Sequence, residues 1–235
     1  MACVFITALA TLSSNAERLC IEKVATPAES DRFINIVPVP LPVASSDDWM
    51  VAGTQNGVIE LWSIAENDKV KRHSTPLLDL TDRVLYNGER GLLGVALHKQ
   101  FASNGRMFVS YSCKGSEDCK EGSNVIAEFT ASSMDNLQRL SVDKSSARII
   151  KIVNQPDKNH NGGQILFSSN VGDPYLYAMF GDGGGVGDPR GSSQNLGSPL
   201  GKVLRLDIDT TNTPYSIPAS NPFVNTAGAL VSPDS

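Results

Sequence analysis

The chain has 235 residues, of which 40% are hydrophobic and 19% are charged, a composition typical of a globular protein and not of a disordered one. Its net charge is −5, and Lys and Arg occur in runs no longer than a pair, which argues against nucleic acid or anionic lipid as a partner. No stretch approaches the roughly 20 apolar residues that a membrane-spanning helix needs, so we expect no membrane span.

The N-terminal residues 1–17 combine an apolar stretch with small residues that follow it. Ser14 and Ala16 lie where cleavage of a signal peptide favours small side chains. The segment lacks the basic residues that usually open a signal peptide, so a truncated N-terminus or a buried first strand is the alternative. A secretory signal would make the protein extracellular, and secretion is our expectation.

Short runs rich in β-branched and aromatic residues alternate with turn signals from residue 33 onward, and no long stretch has the 3.6-residue period of a helix. The pattern predicts strands at 33–37, 49–54, 58–64, 93–98, 107–112, 125–130, 147–153, 164–167, 175–180 and 202–208. Asn56-Gly57 predicts a tight hairpin turn between the second and third of them, because these residues supply the positive φ angles of such turns. The predicted fold class is therefore all-β.

The spacing of the strands favours one all-β architecture. A strand pair recurs about every 40 to 50 residues with a longer polar connection at one end, which is typical of the four-stranded blades of a β-propeller. At that rate the chain supplies about four to five blades, and residues 222–235 contain no obvious closing strand. An open ring would expose a sheet edge and apolar blade faces. We therefore expect an incomplete propeller, as in a truncated product or a fragment of a longer protein.

Four cysteines are present, Cys3, Cys20, Cys113 and Cys119. Cys113 and Cys119 bracket a short polar segment between two predicted strands, and a hairpin there brings them close enough for a disulfide. Cys3 would leave with a signal peptide, and Cys20 would then need a partner outside this chain. The Cys-x5-Cys spacing has no nearby His or second Cys pair, so it does not match a zinc site.

Other polar features point to structural roles. The glycine-rich segment 181–187 fits neither common phosphate-binding motif, and we interpret it as a tight connection between strands. We predict no metal site from four aspartates whose spacing matches no calcium-binding loop: Asp182, Asp188, Asp207 and Asp209. His98 follows an alternating apolar strand and should be structural. His73, Lys202 and Arg205 should face solvent.

Four stretches, at residues 88–112, 159–167, 175–189 and 200–223, together resemble the soluble glucose/sorbosone dehydrogenase family of quinoproteins. Their sequences are GERGLLGVALHKQFASNGRMFVSYS, NHNGGQILF, YLYAMFGDGGGVGDP, and LGKVLRLDID followed by YSIPASNPF. The likeness is closest to the plant hedgehog-interacting-protein-like branch. The segment LCIEKV at 19–24 resembles the opening of the domain in that branch. The resemblance implies a six-bladed β-propeller, with residues 19–235 forming its N-terminal part.

The resemblance also implies roles for individual residues. His160, in the NHNGG motif, matches the general base that takes a proton from the anomeric hydroxyl of a sugar while hydride passes to pyrroloquinoline quinone. Asp182 matches a carboxylate that hydrogen-bonds this His and holds its tautomer. Glu89 lies in a loop that reaches the cofactor pocket, and Asn159 lies where sugar-oxidising members can carry an Asp near the substrate.

Two of these positions depart from the family pattern. Well-studied quinone-binding members carry Gln at the position of Glu89, and a carboxylate there would repel a tricarboxylate cofactor unless a cation intervened. Asn159 in place of Asp bears on sugar specificity. Pyrroloquinoline quinone and calcium are the cofactors that the resemblance implies, and most of their ligands in the family would fall after Ser235.

Two functional hypotheses follow. In the first, the protein resembles a quinone-dependent sugar dehydrogenase that oxidises a CH–OH group of an aldose, with a small-molecule sugar as its partner. In the second, it is a non-catalytic extracellular binding propeller of the hedgehog-interacting type, or an inactive fragment, and the sequence does not identify its protein partner. His160 with Asp182 favours the enzyme, whereas Glu89 and Asn159 favour the alternative.

Overall fold

The computed structural model describes residues 32–40, 47–65, 69–133 and 135–230. Within these ranges twelve strands form three antiparallel sheets, with one short α-helix and one 3₁₀ turn between them. The all-β class predicted from the sequence is confirmed. The expected signal peptide at 1–17, Cys3 and Cys20 lie outside the described residues. None of the helices in these ranges is long and apolar enough to cross a membrane.

The first sheet consists of β1 Phe33–Pro38, β2 Asp48–Thr54, β3 Val58–Ile64, β4 Val70–Arg72 and β5 Leu78–Asp79. Its order is β1-β2-β3-β4, and β5 also pairs with β3. The predicted hairpin joins β2 to β3, but of its central pair only Gly57 has a positive φ, 109°. The sequence pattern does not predict β4 and β5, because two or three residues are too few to display an alternation.

The second sheet is a four-stranded meander of β6 Leu92–Leu97, β7 Arg106–Ser112, β8 Asn124–Ser132 and β9 Ser141–Val153. Helix α1, Phe101–Asn104, follows β6 and ends at Gly105, whose φ of 64° favours glycine. The 3₁₀ turn Leu137–Arg139 precedes β9. Cys113 and Cys119 form the predicted disulfide in the connection between β7 and β8.

The third sheet contains β10 Gly162–Phe167, β11 Leu176–Phe180 and β12 Val203–Leu206, paired in that order. The strand predicted at 202–208 is shorter in the structure. After Leu206 the chain leaves the ladder, and Asp207 forms an isolated bridge with Ser216. The long connection between β11 and β12 contains the glycine-rich segment, and it supplies part of the site described below.

Successive sheets pack face to face through two apolar cores. Ile59, Leu92 and Phe129 belong to the core between the first and second sheets, and Phe108 and Ile165 to the core between the second and third. The first strands of the sheets lie in series, since β1 contacts β6 and β6 contacts β10. Antiparallel sheets arranged in this way are successive blades of a β-propeller. The described residues form three such sheets, fewer than the roughly four to five blades expected from the strand spacing. A ring of six blades, and truncation, stay predictions.

Three side chains that were expected to face solvent are partly buried instead. The His73 ring lies against Trp49, with centroids 5.0 Å apart. The ammonium group of Lys202 donates to three main-chain carbonyl oxygens of the β11–β12 connection at 2.8 to 2.9 Å. The guanidinium group of Arg205 lies over the Tyr175 ring, 5.0 Å from its centroid. These partners lie on another strand or in a connection, as Trp49 on β2 and the β11–β12 connection show, and the alternation of a strand by itself cannot predict them.

Candidate active site

Three loops meet at one end of the sheets: residues 87–91 before β6, 154–161 before β10, and 181–191 after β11. Glu89 contacts His160, which is 71 residues further along the chain, and His160 contacts Asp182, another 22 residues on. Because β10 and β11 are antiparallel, the start of one and the end of the other lie together. Three of the four stretches that carry the family resemblance therefore converge on one site.

His160 and Asp182 form the central pair of this site. Nδ1 of His160 lies 3.0 Å from Oδ1 of Asp182. An ionised carboxylate can only accept hydrogen bonds, so Nδ1 carries the hydrogen, and in a neutral imidazole Nε2 then keeps a lone pair. The side chain of His160 is 46% exposed and that of Asp182 only 19%, so a ligand can reach the imidazole while the carboxylate stays behind it. An oriented imidazole of this kind can act as a general base.

The glycine-rich segment shapes the carboxylate side of the pair. Oδ1 of Asp182 accepts a second hydrogen bond from the main-chain N–H of Gly184 at 2.9 Å. This bond, together with the bond from His160, lowers the pKa of Asp182 from its ordinary value. Gly184 has a φ of 104°, and a Cβ there would lie 2.5 Å from Cβ of Asp157. Glycine is therefore required for the turn that delivers this N–H.

The main chain of His160 is held in an uncommon conformation. Its φ is 56°, in the left-handed region that His, Asn and Asp enter more readily than most residues. Gly181 passes so close that a Cβ on it would lie 1.9 Å from the carbonyl oxygen of His160. Local strain of this kind persists only where surrounding contacts hold it, and it is common at functional sites.

Glu89 and Asn159, predicted to contact cofactor and substrate, both lie beside His160. Glu89 is exposed, and its Oε2 accepts the main-chain N–H of His160 at 2.6 Å. Asn159 is partly buried, and its side-chain oxygen lies 2.7 Å from the position that a Cβ of Gly184 would take. The structure therefore brings all four predicted residues together, while the roles of Glu89 and Asn159 as ligand contacts stay predictions.

Sequence reasoning missed Asn161, the best-connected side chain of the site. It is 1% exposed, and its Nδ2 donates to Oε1 of Gln155 at 3.1 Å and to the carbonyl oxygen of Asp157 at 3.0 Å. Its own carbonyl oxygen accepts from Nδ2 of Asn124 at 3.0 Å. These bonds fold the 155–161 loop on itself and fix the start of β10. The only available signal was a polar residue directly before the Gly162-Gly163 pair.

The charges around His160 suit a hydroxyl group better than an anionic cofactor. Glu89 and Asp182 both direct carboxylate oxygens at His160, through its main chain and its ring. Two nearby guanidinium groups are already engaged with Asp157, Arg90 through the main-chain carbonyl and Arg190 through the side chain. The described residues at this site therefore fit proton transfer and do not fit the three carboxylates of pyrroloquinoline quinone.

Calcium is the other expected ligand, and the residues that the structure describes offer no cluster of side-chain ligands for it. There, no three side chains of His, Cys, Asp or Glu are grouped so that they could hold a metal ion. Asp188, one of the four aspartates considered above, instead accepts the main-chain N–H groups of Ser192 and Ser193 at 2.9 and 2.8 Å. These bonds lower the pKa of Asp188, the bond from Ser193 most strongly. Asp188 therefore holds the β11–β12 connection.

Comparison with known proteins assigns the family. The glucose/sorbosone dehydrogenase family model matches residues 38–232, which include all three sheets from Pro38 onward. The chain belongs to this family. Its relatives include the HIPL1 protein of Arabidopsis thaliana, 32% identical over 250 residues, and the aldose sugar dehydrogenase YliI of Escherichia coli (strain K12), 30% identical over 197 residues.

A solved structure extends the comparison at the level of the fold. The PQQ-bound form of the aldose sugar dehydrogenase from Streptomyces coelicolor superposes with a TM-score of 0.53 at 22% identity, over 88% of this chain and 55% of that chain. The match to HIPL1 covers 87% of this chain and 34% of HIPL1, and the match to YliI covers 82% and 45%. The chain thus spans between a third and a half of these two relatives.

Proposed function

We propose that the protein is a sugar dehydrogenase-like member of its family, and that this chain supplies the proton-accepting part of the site. The observation that carries the proposal is the His160–Asp182 pair, 3.0 Å apart, with Nε2 of an exposed imidazole left to accept a proton. Membership of the glucose/sorbosone dehydrogenase family supports a sugar as the substrate class, and so does the similarity to an aldose sugar dehydrogenase.

The proton step follows from the geometry of the pair. An aldose would bind with a ring hydroxyl within hydrogen-bond reach of Nε2 of His160, and the imidazole would take the hydroxyl proton as the C–H bond breaks. Asp182 would stabilise the imidazolium that forms, because its carboxylate already accepts the Nδ1 hydrogen. The hydride requires an acceptor, and the family resemblance leads us to expect pyrroloquinoline quinone with calcium.

Because the described site does not fit the carboxylates of the quinone, we infer that other residues would provide most of its contacts. Those residues would face His160 across the substrate, within a propeller that we expect to have six blades. We expect the protein to be secreted, and any protein partner is left open. These expectations rest on the family resemblance and on the relatives, which this chain covers only in part.

The test is a sugar titration with two readouts. In the purified chain, an aldose from a panel of sugars should shift the imidazole NMR signals of His160, whether or not a cofactor is present. With pyrroloquinoline quinone and calcium added, sugar-dependent dye reduction should fall about 100-fold or more in His160→Ala. The matched control is His73→Ala, because that His follows β4 of the first sheet and packs against Trp49, away from the site, and its removal should leave both readouts unchanged.

A second candidate function is a non-catalytic binding propeller. The observation that favours it is the pair of carboxylates, Glu89 and Asp182, at the place where a quinone would need cations. A chain that melts cooperatively and whose His160 signals respond to no aldose of the panel would support this candidate and overturn the first. Dye reduction that persists in His160→Ala would overturn the assignment of the base.

A further inference from the structure

We propose that Glu89 is a positioning residue, whose carboxylate holds the main chain of His160 so that the imidazole meets Asp182. The inference rests on the proposed function only in taking His160 as the base. It departs from the cofactor contact that the family resemblance implies for Glu89. The structural claim, that Glu89 controls the orientation of the His160 ring, can be tested without any cofactor.

The first observation is the hydrogen bond itself. Oε2 of Glu89 accepts the main-chain N–H of His160 at 2.6 Å, and a charged acceptor makes a shorter and stronger bond than a neutral one. The N–H of His160 lies before the start of β10 at Gly162, so the sheet ladder does not satisfy it. Glu89 therefore supplies the acceptor that the main chain of His160 needs.

The second observation is the conformation that this bond holds. His160 has a φ of 56°, which a non-glycine residue keeps only when its surroundings determine it. Gly181 lies close to the carbonyl oxygen of the same residue, while Glu89 accepts a hydrogen bond from its N–H group. Between these two contacts the Cα–Cβ direction of His160 is fixed, and Nδ1 points to Asp182. Loss of the Glu89 contact would release one of the two constraints.

The third observation is that the Glu89 loop is itself held from another sheet. Gln55, in the turn of the first sheet, is 6% exposed. Its Nε2 donates to the carbonyl oxygens of Gly88 at 2.8 Å and of Arg90 at 3.1 Å, on either side of Glu89. The carboxylate is thus presented from a fixed loop although its own side chain is exposed. A continuous set of contacts runs from the first sheet through Glu89 to His160 at the third.

The experiment compares the imidazole of His160 in three variants of the chain by NMR of ¹⁵N-labelled histidine. The chain has three histidines, so His160→Ala identifies the signal. We expect Glu89→Ala to lose the hydrogen-bonded Nδ1–H signal and to populate both tautomers. Glu89→Gln keeps an acceptor oxygen and should retain the wild-type tautomer. Glu117→Ala, an exposed glutamate in the neighbouring disulfide loop, is the matched control and should match the wild type.

Kinetics separate positioning from ligand contact. Where sugar oxidation is measurable, Glu89→Ala should lower kcat by about tenfold or more with little change in KM. The reason is that the imidazole would be correctly oriented in a smaller fraction of the bound complexes. A wild-type His160 spectrum in Glu89→Ala would overturn the proposal, and so would Glu89→Gln behaving like Glu89→Ala. If Glu89→Ala changes the His160 tautomer but the wild type oxidises no sugar, positioning by Glu89 would be supported while the proposed function fails.

Discussion

At the scale of single residues, the site depends on a histidine whose main chain is as constrained as its ring. His160 takes a left-handed φ of 56°, and its ring orientation follows from three partners: Glu89 on the N–H, Gly181 against the carbonyl and Asp182 on Nδ1. The close approach of Gly181 leaves no room for a methyl group. The glycine after Phe180 is therefore a packing requirement of the His160 loop.

We expect Gly181→Ala to lower the free energy of unfolding by about 1 to 3 kcal/mol through overpacking. The added Cβ would lie 1.9 Å from the carbonyl oxygen of His160, so the loop must move. Gly172→Ala is the matched control, because its nearest neighbour is Oδ1 of Asn170 at 3.6 Å and neither glycine has a φ in the left-handed region. Chemical denaturation measures both variants. Equal stability of the two would contradict the packing argument.

At the scale of elements, the β7–β8 connection is closed by a disulfide and borders the site. Cys113 and Cys119 are buried, and the loop ends at Gly122, whose Cα leaves room for the guanidinium group of Arg90. Arg90 in turn donates to the carbonyl oxygen of Asp157 at 3.3 Å. The disulfide loop therefore packs against the Glu89 loop, and the Glu89 loop packs against the His160 loop.

Removal of the disulfide should destabilise the fold moderately. The two cysteines are six residues apart, and the loop-closure relation for so short a loop corresponds to about 2 kcal/mol. We expect the double variant Cys113→Ala/Cys119→Ala to lose about that much free energy of unfolding, and the wild type to lose a similar amount in a reducing buffer. The double variant should be insensitive to reductant. An unchanged midpoint in reduced wild type would contradict this prediction.

At the scale of the whole molecule, an ionic cluster joins the second and third sheets. Arg106 donates through Nε to Glu128 at 2.7 Å and is paired with Asp209 beyond β12. Burial by itself raises the pKa of Glu128, but hydrogen bonds from Arg106 and Arg148 outweigh it and lower that pKa. Breaking one partner of such a cluster would leave an uncompensated charge between two sheets.

His98 makes the same junction sensitive to acid. Nδ1 of His98 accepts the main-chain N–H of Gln100 at 3.1 Å and pairs with Nδ2 of Asn104 at 2.7 Å, so the hydrogen is on Nε2, which lies 3.4 Å from Asp209. Burial lowers the pKa of His98, and the nearby charge of Asp209 only partly opposes this effect. The folded state therefore favours the neutral imidazole more than the unfolded chain does.

The direction of the pH dependence follows from this pKa. The unfolded chain binds a proton at His98 near pH 6.5, whereas the folded chain binds it only at lower pH. The free energy of unfolding should therefore decrease as the pH falls below about 6.5 and level off below the folded pKa. His98→Gln should reduce this slope, as measured by denaturant titrations between pH 7 and pH 5. A slope that is equal in wild type and variant would contradict the assignment.

Much of the fold could be predicted, since strand alternation, turn residues and cysteine spacing are local. The disulfide between Cys113 and Cys119 and the hairpin around Gly57 are such local features. The site was predictable only in its residue types, through a family resemblance. The role of the buried Asn161 was missed, and the prediction that Lys202 faces solvent was wrong. Both side chains bind loops, and no local sequence pattern encodes the positions of these loops.

By itself, the sequence determined the all-β class, the disulfide and the family, because periodicity, spacing and motif order are properties of the chain. Only the tertiary structure decided which side chains act together. The bond from His160 to Glu89 spans 71 residues and the bond to Asp182 spans 22. Such contacts exist only once the three sheets have packed and brought their loops to one end. The reason is that burial of the apolar side chains between the sheets determines how close these loops come to each other.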